Sequence, residues 1–242
     1  MGYVEGISQW SQSEKEFNRL RGQILSQKAA DYIDDFPVTA RRQSICRMLA
    51  RIKLFEKVMD VKGAVIECGV HRGAGLMLFY HLSSLWEPYA INRRIYGFDT
   101  FNGFPKSSPE DPLKVHEGTL SSSNYAVLRE MIPLHDMNRP LSHMPKAELI
   151  KGDATVTIPE FVKKHPELIV SLLYLDFDLY EPTKTALRHF LPLVPKGGVV
   201  AFDELNAPKW AGETQAFKEF FNVNKVELKK FPFDPYIAYS VV

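Results

Sequence analysis

The chain has 242 residues, of which 45% are hydrophobic, so it can bury a core and is not a disordered polymer. Lys and Arg total 30 against 29 Asp and Glu, a formal net charge of +1, which leaves no broad basic face for nucleic acid or anionic lipid. Cys46 and Cys68, the two cysteines, exclude a disulfide scaffold and form no C-x-x-C pair.

The opening Met-Gly-Tyr-Val-Glu-Gly lacks the basic-then-apolar order of a secretory signal. Gly2 formally suggests myristoylation, but Gly6 and Ile7 stand where that motif wants Ser or Thr. No stretch reaches the roughly 18 uninterrupted apolar residues of a membrane span. The expectation is a cytoplasmic protein with neither membrane nor nucleic-acid partner.

Residues 1 to about 60 read as helices, with Ile45, Leu49, Ile52 and Phe55 at helical spacing. From there short apolar runs alternate with helical segments, the mark of parallel βαβ units. The first strand is Gly63 to Cys68, followed by a glycine turn and a helix from about Leu76. The second is Arg94 to Asp99. The block from Ser107 to Pro145 is rich in Pro, Ser, His and Asn, with a short helix near Tyr125 to Met131. A third strand, Ala147 to Lys151, ends in Gly152-Asp153. The fourth, Ile169 to Asp176, is nearly all apolar, as a strand covered on both faces must be. A fifth, Gly198 to Phe202, ends in Asp203-Glu204. Lys225 to Phe231 and Tyr236 to Val242 form a terminal strand pair around Pro232 and Pro235. Seven strands predict an open α/β sheet, over whose mouth residues 1–60 and 107–145 can lie as lids.

In such a sheet the ligand sits beyond the carboxyl ends of the strands. The first turn, Glu67-Cys-Gly69-Val-His-Arg-Gly73-Ala-Gly75, departs from the G-x-G-x-x-G dinucleotide spacing. It reads either as a cofactor cradle or as a plain strand-to-helix turn. Glu67 can accept from an ammonium group, whereas a pyrophosphate is poorly served by that charge. Asp99, ending the second strand, can pair with both hydroxyls of a ribose or cap a turn. Phe101 and Phe104 can pack on an adenine or belong to the core. Asp153 faces the adenine amino group or caps the next helix. An amino-acid-headed nucleoside fits these acids, and S-adenosylmethionine is that compound.

Asp176 and Asp178 follow the fourth strand, and Asp203 and Glu204 the fifth. Parallel neighbours end side by side, so these acids should converge. Like charges in one cleft call for a cation or a shifted pKa, and hard oxygen donors suit Mg²⁺. The alternative is a set of solvated helix caps. The seven histidines offer no metal grouping, and Cys68 has no base beside it. Trp210 either walls a sugar pocket or anchors its loop.

Five stretches together resemble the macrocin O-methyltransferase (TylF-type) family of sugar methyltransferases. They are Val65 to Gly75, Tyr96 to Pro105, Lys151 to Pro159, Leu175 to Thr183 and Pro195 to Glu204. The resemblance implies a class I methyltransferase fold: a seven-stranded, mostly parallel Rossmann-like sheet with helices on both faces and an antiparallel last strand. It makes residues 1–60 a helical lid or assembly segment and 61–242 the methyltransferase domain, with a lid insertion at 107–145. It implies Mg²⁺-dependent methyl transfer from S-adenosylmethionine to a sugar hydroxyl. The cofactor set becomes Glu67, Gly69, His71, Gly73, Asp99, Thr100, Phe101, Asp153 and Ala154. The metal set is Asp176, Asp203 and Glu204, where many relatives carry Asp in place of Glu204. Asp176 is the first candidate for general base and Asp178 the second. The Lys of catechol-type enzymes is replaced by Leu179. A small sugar acceptor and a homo-oligomer, dimer or larger, complete the expectation. A phenolic acceptor, or a binding protein that has lost turnover, are the rival readings.

Overall fold

The computed structural model describes residues 11–26, 29–111, 117–119, 121 and 124–242. The readings made around Gly2 and of His116 lie outside the described residues. Two compact units divide at Arg47 and Met48. The smaller holds helices α1 (Gln12–Leu25) and α2 (Phe36–Thr39), and α3 (Arg42–Glu56) runs on into the larger. The division expected near residue 60 therefore falls earlier. The reason is packing: Ala50, Leu54, Phe55 and Val58 are fully buried in the core of the larger unit.

That unit is built on seven strands: β1 (Ala64–Cys68), β2 (Ile95–Asp99), β3 (Ala147–Lys151), β4 (Val170–Leu175), β5 (Val199–Phe202), β6 (Lys229–Lys230) and β7 (Ala238–Val241). Their spatial order is β3-β2-β1-β4-β5-β7-β6. The first five are parallel, while β7 runs antiparallel to β5 and β6 antiparallel to β7. Between them lie α4 (Ala74–Trp86), α5 (Tyr125–Asp136), α6 (Ala154–Lys164), α7 (Tyr180–Phe190) and α8 (Ala211–Phe220). The expected strand from Lys225 to Phe231 shrinks to the exposed pair Lys229–Lys230. Charged residues and the following Pro232 suit a short edge better than a long ladder.

Because strand side chains alternate faces, the sheet makes two cores. Val65, Leu172, Tyr174, Val199 and Ala201 face α3, α4 and α5. Ile66, Cys68, Leu173, Leu175, Val200 and Phe202 face α6, α7 and α8. Burying one such large apolar side chain contributes roughly 1.5–3 kcal/mol, so the two cores set the positions of the strand ends. The same parity places Glu67 opposite Tyr174 in the β1–β4 register. It also carries Asp176 and Asp203 out on the α3 side. Sequential order reverses between β1 and β4, and a crevice opens there at the carboxyl ends.

Candidate active site

Gly69 follows β1 at φ +98°, and a Cβ on it would stand 2.0 Å from the carbonyl oxygen of Asp176. Only glycine lets the β1 exit lie this close to the β4 exit. The Asp176 N–H donates to Cys68 O at 2.7 Å, and the Gly69 N–H donates to Phe98 O at 2.9 Å. The turn is thus stitched to the strands on either side.

Asp99 completes the stitching. Its Oδ2 accepts from the Val70 and His71 amides, both at 2.8 Å, and its Oδ1 accepts from the Phe101 amide at 2.6 Å. The carboxylate reserved by sequence reasoning for a ribose therefore also fixes the glycine turn. Gly73, at φ +84°, caps α4, and a Cβ there would meet the Leu128 side chain at 2.3 Å.

A cavity of about 230 Å³ lies over this crevice. Gly69, His71, Asp99, Thr100 and Phe101 line one side, with Gly152, Asp153 and Ala154 beside them, and Asp176, Phe177 and Asp178 line the other. Sequence-expected cofactor residues and candidate bases thus line one cavity. His71, Phe101 and Asp178 all hold positive φ, at 49°, 53° and 61°. Such strained backbone persists only where the surroundings impose it, and here it clusters at the cavity.

Some expected residues have other duties. The Phe101 ring is buried against Tyr125, with centroids 4.8 Å apart, so that residue contributes to the core. Phe104 packs on the buried Trp210 at 5.6 Å, which makes Trp210 an anchor for its loop. Asp153 Oδ1 accepts from the Thr155 amide and hydroxyl, capping α6. Cys68 is buried, and burial pushes its thiol well above the ordinary value, so it is no nucleophile.

Beneath the cavity lies an ionic layer that sequence reasoning missed in part. Arg51, on α3, places Nη2 3.4 Å from Asp176 Oδ2 and 3.7 Å from Glu67 Oε1, and its guanidinium lies 4.6 Å over the Tyr174 ring. Burial opposes its charge, but Tyr174, Glu67, Asp203 and Asp176 together outweigh burial and keep it protonated. Glu67 is 1% exposed, and burial pushes its carboxyl up to about 8 against the pull of Arg51. It lies under the cavity, not on its wall, and a Cβ on Gly75 would stand 1.9 Å from its Oε1.

Asp203 is 1% exposed, and its Oδ1 accepts the Tyr174 hydroxyl at 2.5 Å. Glu204 follows it half-buried, and its amide donates to Glu213 Oε1 at 3.1 Å. Glu213, from the first turn of α8, is fully buried. Burial pushes its carboxyl well above the ordinary range, and the charges of Asp203, Asp178 and Glu204 push the same way. Arg51, Tyr174 and Glu213 carry no motif. Only the fold brings them to the strand ends.

Asp176, Asp203 and Glu204 stand at the neighbouring ends of β4 and β5. Among the described residues, no three His, Cys, Asp or Glu side chains are gathered as a ready metal cage. Asp176 leans toward Arg51 and Asp203 toward Tyr174. The donor chemistry nevertheless fits a hard divalent cation: every candidate donor is a carboxylate oxygen, and Glu213 Oε2 is buried without a hydrogen-bond partner.

Residues 38–237 match the family described as macrocin-O-methyltransferase (TylF). The chain belongs to the TylF family. It is accordingly an O-methyltransferase, with the class I fold that its strand order displays. The crystal structure of CalS11, calicheamicin methyltransferase, is 31% identical with a TM-score of 0.91, covering 100% of this TylF-family chain and 97% of its own. An apo structure of CalS11, there described as TDP-rhamnose 3'-O-methyltransferase, is 30% identical at a TM-score of 0.84, covering 99% of each chain. The O-methyltransferase NovP shares the fold at 22% identity and a TM-score of 0.65, over 81% of this chain and 79% of its own. No curated protein matches.

Proposed function

We propose that the enzyme transfers a methyl group from S-adenosylmethionine to a hydroxyl of a sugar, carried on a nucleotide or in a glycoside, with Mg²⁺ at the strand-end acids. The single observation that carries this reading is the shared cavity, lined by Gly69, Asp99 and Asp153 as well as by Asp176 and Asp178. The extent of the likeness to CalS11, a TDP-rhamnose 3'-O-methyltransferase, supports a sugar over a phenol as acceptor. So does Leu179, in place of the catechol-type lysine.

The cofactor supplies an electrophilic sulfonium methyl. Asp99, Thr100, Asp153 and Ala154 would hold its nucleoside, while Gly69, His71 and Gly73 would shape the turn beside its amino-acid head. Glu67 acts from below, through its buried carboxylate and Arg51. Asp176, Asp203 and Glu204 would hold the divalent cation, which would supply Lewis acidity to the site. The cofactor would give up its methyl with cleavage of the sulfur–methyl bond and leave as S-adenosylhomocysteine, while a carboxylate of this chain takes the proton of the acceptor hydroxyl. Asp176 is the first candidate base, because it directly follows β4, and Asp178 is the second. Proton transfer of this kind contributes typically about 10²–10⁴-fold, and alignment of the reacting atoms more.

The segment 107–145 is assigned to cover the acceptor. At its base Phe104 exchanges backbone hydrogen bonds with Gly118 and Thr119, and Asp111 accepts from the Tyr180 amide at 2.9 Å. The amino-terminal segment is assigned to assembly of a homo-oligomer: Phe17, Leu20 and Ile24 form an exposed apolar stripe along α1. Among the described residues no helix is long and apolar enough to cross a membrane.

The test is methyl transfer from isotopically labelled S-adenosylmethionine to a panel of nucleotide-linked deoxysugars and to catechols, with and without a chelator. Chelator-sensitive label on a sugar supports the reading. Label on catechol alone overturns the acceptor, and bound cofactor without turnover on any acceptor overturns the activity.

A further inference from the structure

The acidic residues at the ends of β4 and β5 are joined by one from outside those strands. Glu213 is 0% exposed, on the first turn of α8, nine residues after Glu204. Its Oε1 accepts the Glu204 amide at 3.1 Å. Its Oε2 is buried without a hydrogen-bond partner, within electrostatic reach of Asp203, Asp178 and Glu204. A buried carboxylate oxygen with no donor is costly, and three neighbouring acids raise that cost. An ordinary capping residue would point both oxygens at amides or water. Glu213 spends one oxygen on the exit of β5 and leaves the other facing negative charge. That arrangement becomes favourable when a cation and its hydration sphere supply the missing positive charge and donors.

We propose that Glu213 is an outer acid of the divalent-cation site, a positioning residue that holds the Glu204 backbone with one oxygen and serves the cation's hydration sphere with the other. The proposal rests on the cation reading given under Proposed function. It explains why a full carboxylate stands where an amide would hold the Glu204 N–H equally well. It also makes the β5 exit and the first turn of α8 one unit, so that a cation drawing Glu204 inward draws on Glu213 as well. Outer residues of this kind typically alter metal affinity by about 10–100-fold.

The test is titration of Mn²⁺ alone into the full-length protein by calorimetry, for wild type, Glu213→Gln and Asp203→Asn, together with melting of each without metal. Gln keeps the acceptor for the Glu204 amide and cannot ionise toward a cation. A wild type that binds Mn²⁺, with a Glu213→Gln dissociation constant raised about 10–100-fold and an undiminished metal-free melting temperature, supports the proposal. Equal affinity in Glu213→Gln overturns it and leaves the cation reading standing, provided Asp203→Asn loses binding. A Glu213→Gln variant that melts well below wild type reduces Glu213 to a structural cap and also overturns it. A wild type that takes up no Mn²⁺ overturns the cation reading, and this proposal with it.

Discussion

The Tyr174 hydroxyl donates a 2.5 Å hydrogen bond to Asp203 Oδ1, tying the penultimate residue position of β4 to the acid that leaves β5. Both residues are buried on the α3 face, with Arg51 stacked over the Tyr174 ring. The acids of the proposed cation site are therefore arranged from behind, by an aromatic and a cation, before any ligand arrives.

Tyr174→Phe keeps the ring and the Arg51 stacking but removes the donor. A buried acceptor left short of a partner costs about 1–3 kcal/mol. The melting temperature should fall accordingly, and Mn²⁺ affinity should fall less than in Asp203→Asn. An unchanged melting temperature would show that the bond contributes nothing.

Arg51→Met removes the one charge that separates Glu67 from Asp176. The variant should melt lower, and it should also bind S-adenosylhomocysteine more weakly, because both turns lose the contact they share with Arg51. Chemical denaturation and calorimetry check the two effects separately. Wild-type stability with wild-type cofactor affinity would leave Arg51 without a role at the site.

The raised carboxyl of Glu67 makes stability depend on pH. Its ordinary value is 4.5 and burial lifts it to about 8, so the folded state holds this proton more tightly than the unfolded state does. Ligand-free stability should therefore fall as pH rises from about 4.5 to about 8 and then level off. Glu67→Gln should lack that component. Melting both proteins at pH 5 and pH 8.5 should show the wild type losing ground to the variant at the higher pH, and a constant difference would contradict the assignment.

Gly69→Ala forces a Cβ into the Asp176 carbonyl at a backbone angle of +98°. It should lower both the melting temperature and cofactor affinity, since the β1 and β4 exits must separate. Gly22, on α1, has open space within 4 Å of where a Cβ would stand and serves as control, with Gly22→Ala expected to be neutral or stabilising.

Much of this was legible in the chain. Strands such as Val170–Leu175 announced themselves because a strand buried on both faces must be apolar throughout, and Asp99, Asp176 and Asp203 stood out as acids at the ends of such runs. What stayed hidden depends on three-dimensional convergence. Arg51 reads as one more polar position on an amphipathic helix, and Glu213 as one more acid in a helical first turn. Phe101 shows how one residue serves two ends: it lines the cavity after a strand-end acid, while its ring also packs on Tyr125. The edge pair Lys229–Lys230 is short because alternation alone does not say how many rungs a neighbour offers.

The central claim is that the cofactor turn and the strand-end acids bound one reaction space. A crystal grown with S-adenosylhomocysteine and Mn²⁺ tests it most directly, through the anomalous signal of the metal. The expected result is a single peak contacted by Asp176, Asp203 and Glu204, with the cofactor sulfur across the cavity and room for a hydroxyl between them. A peak elsewhere, or a cofactor whose sulfur points away from these acids, would contradict it.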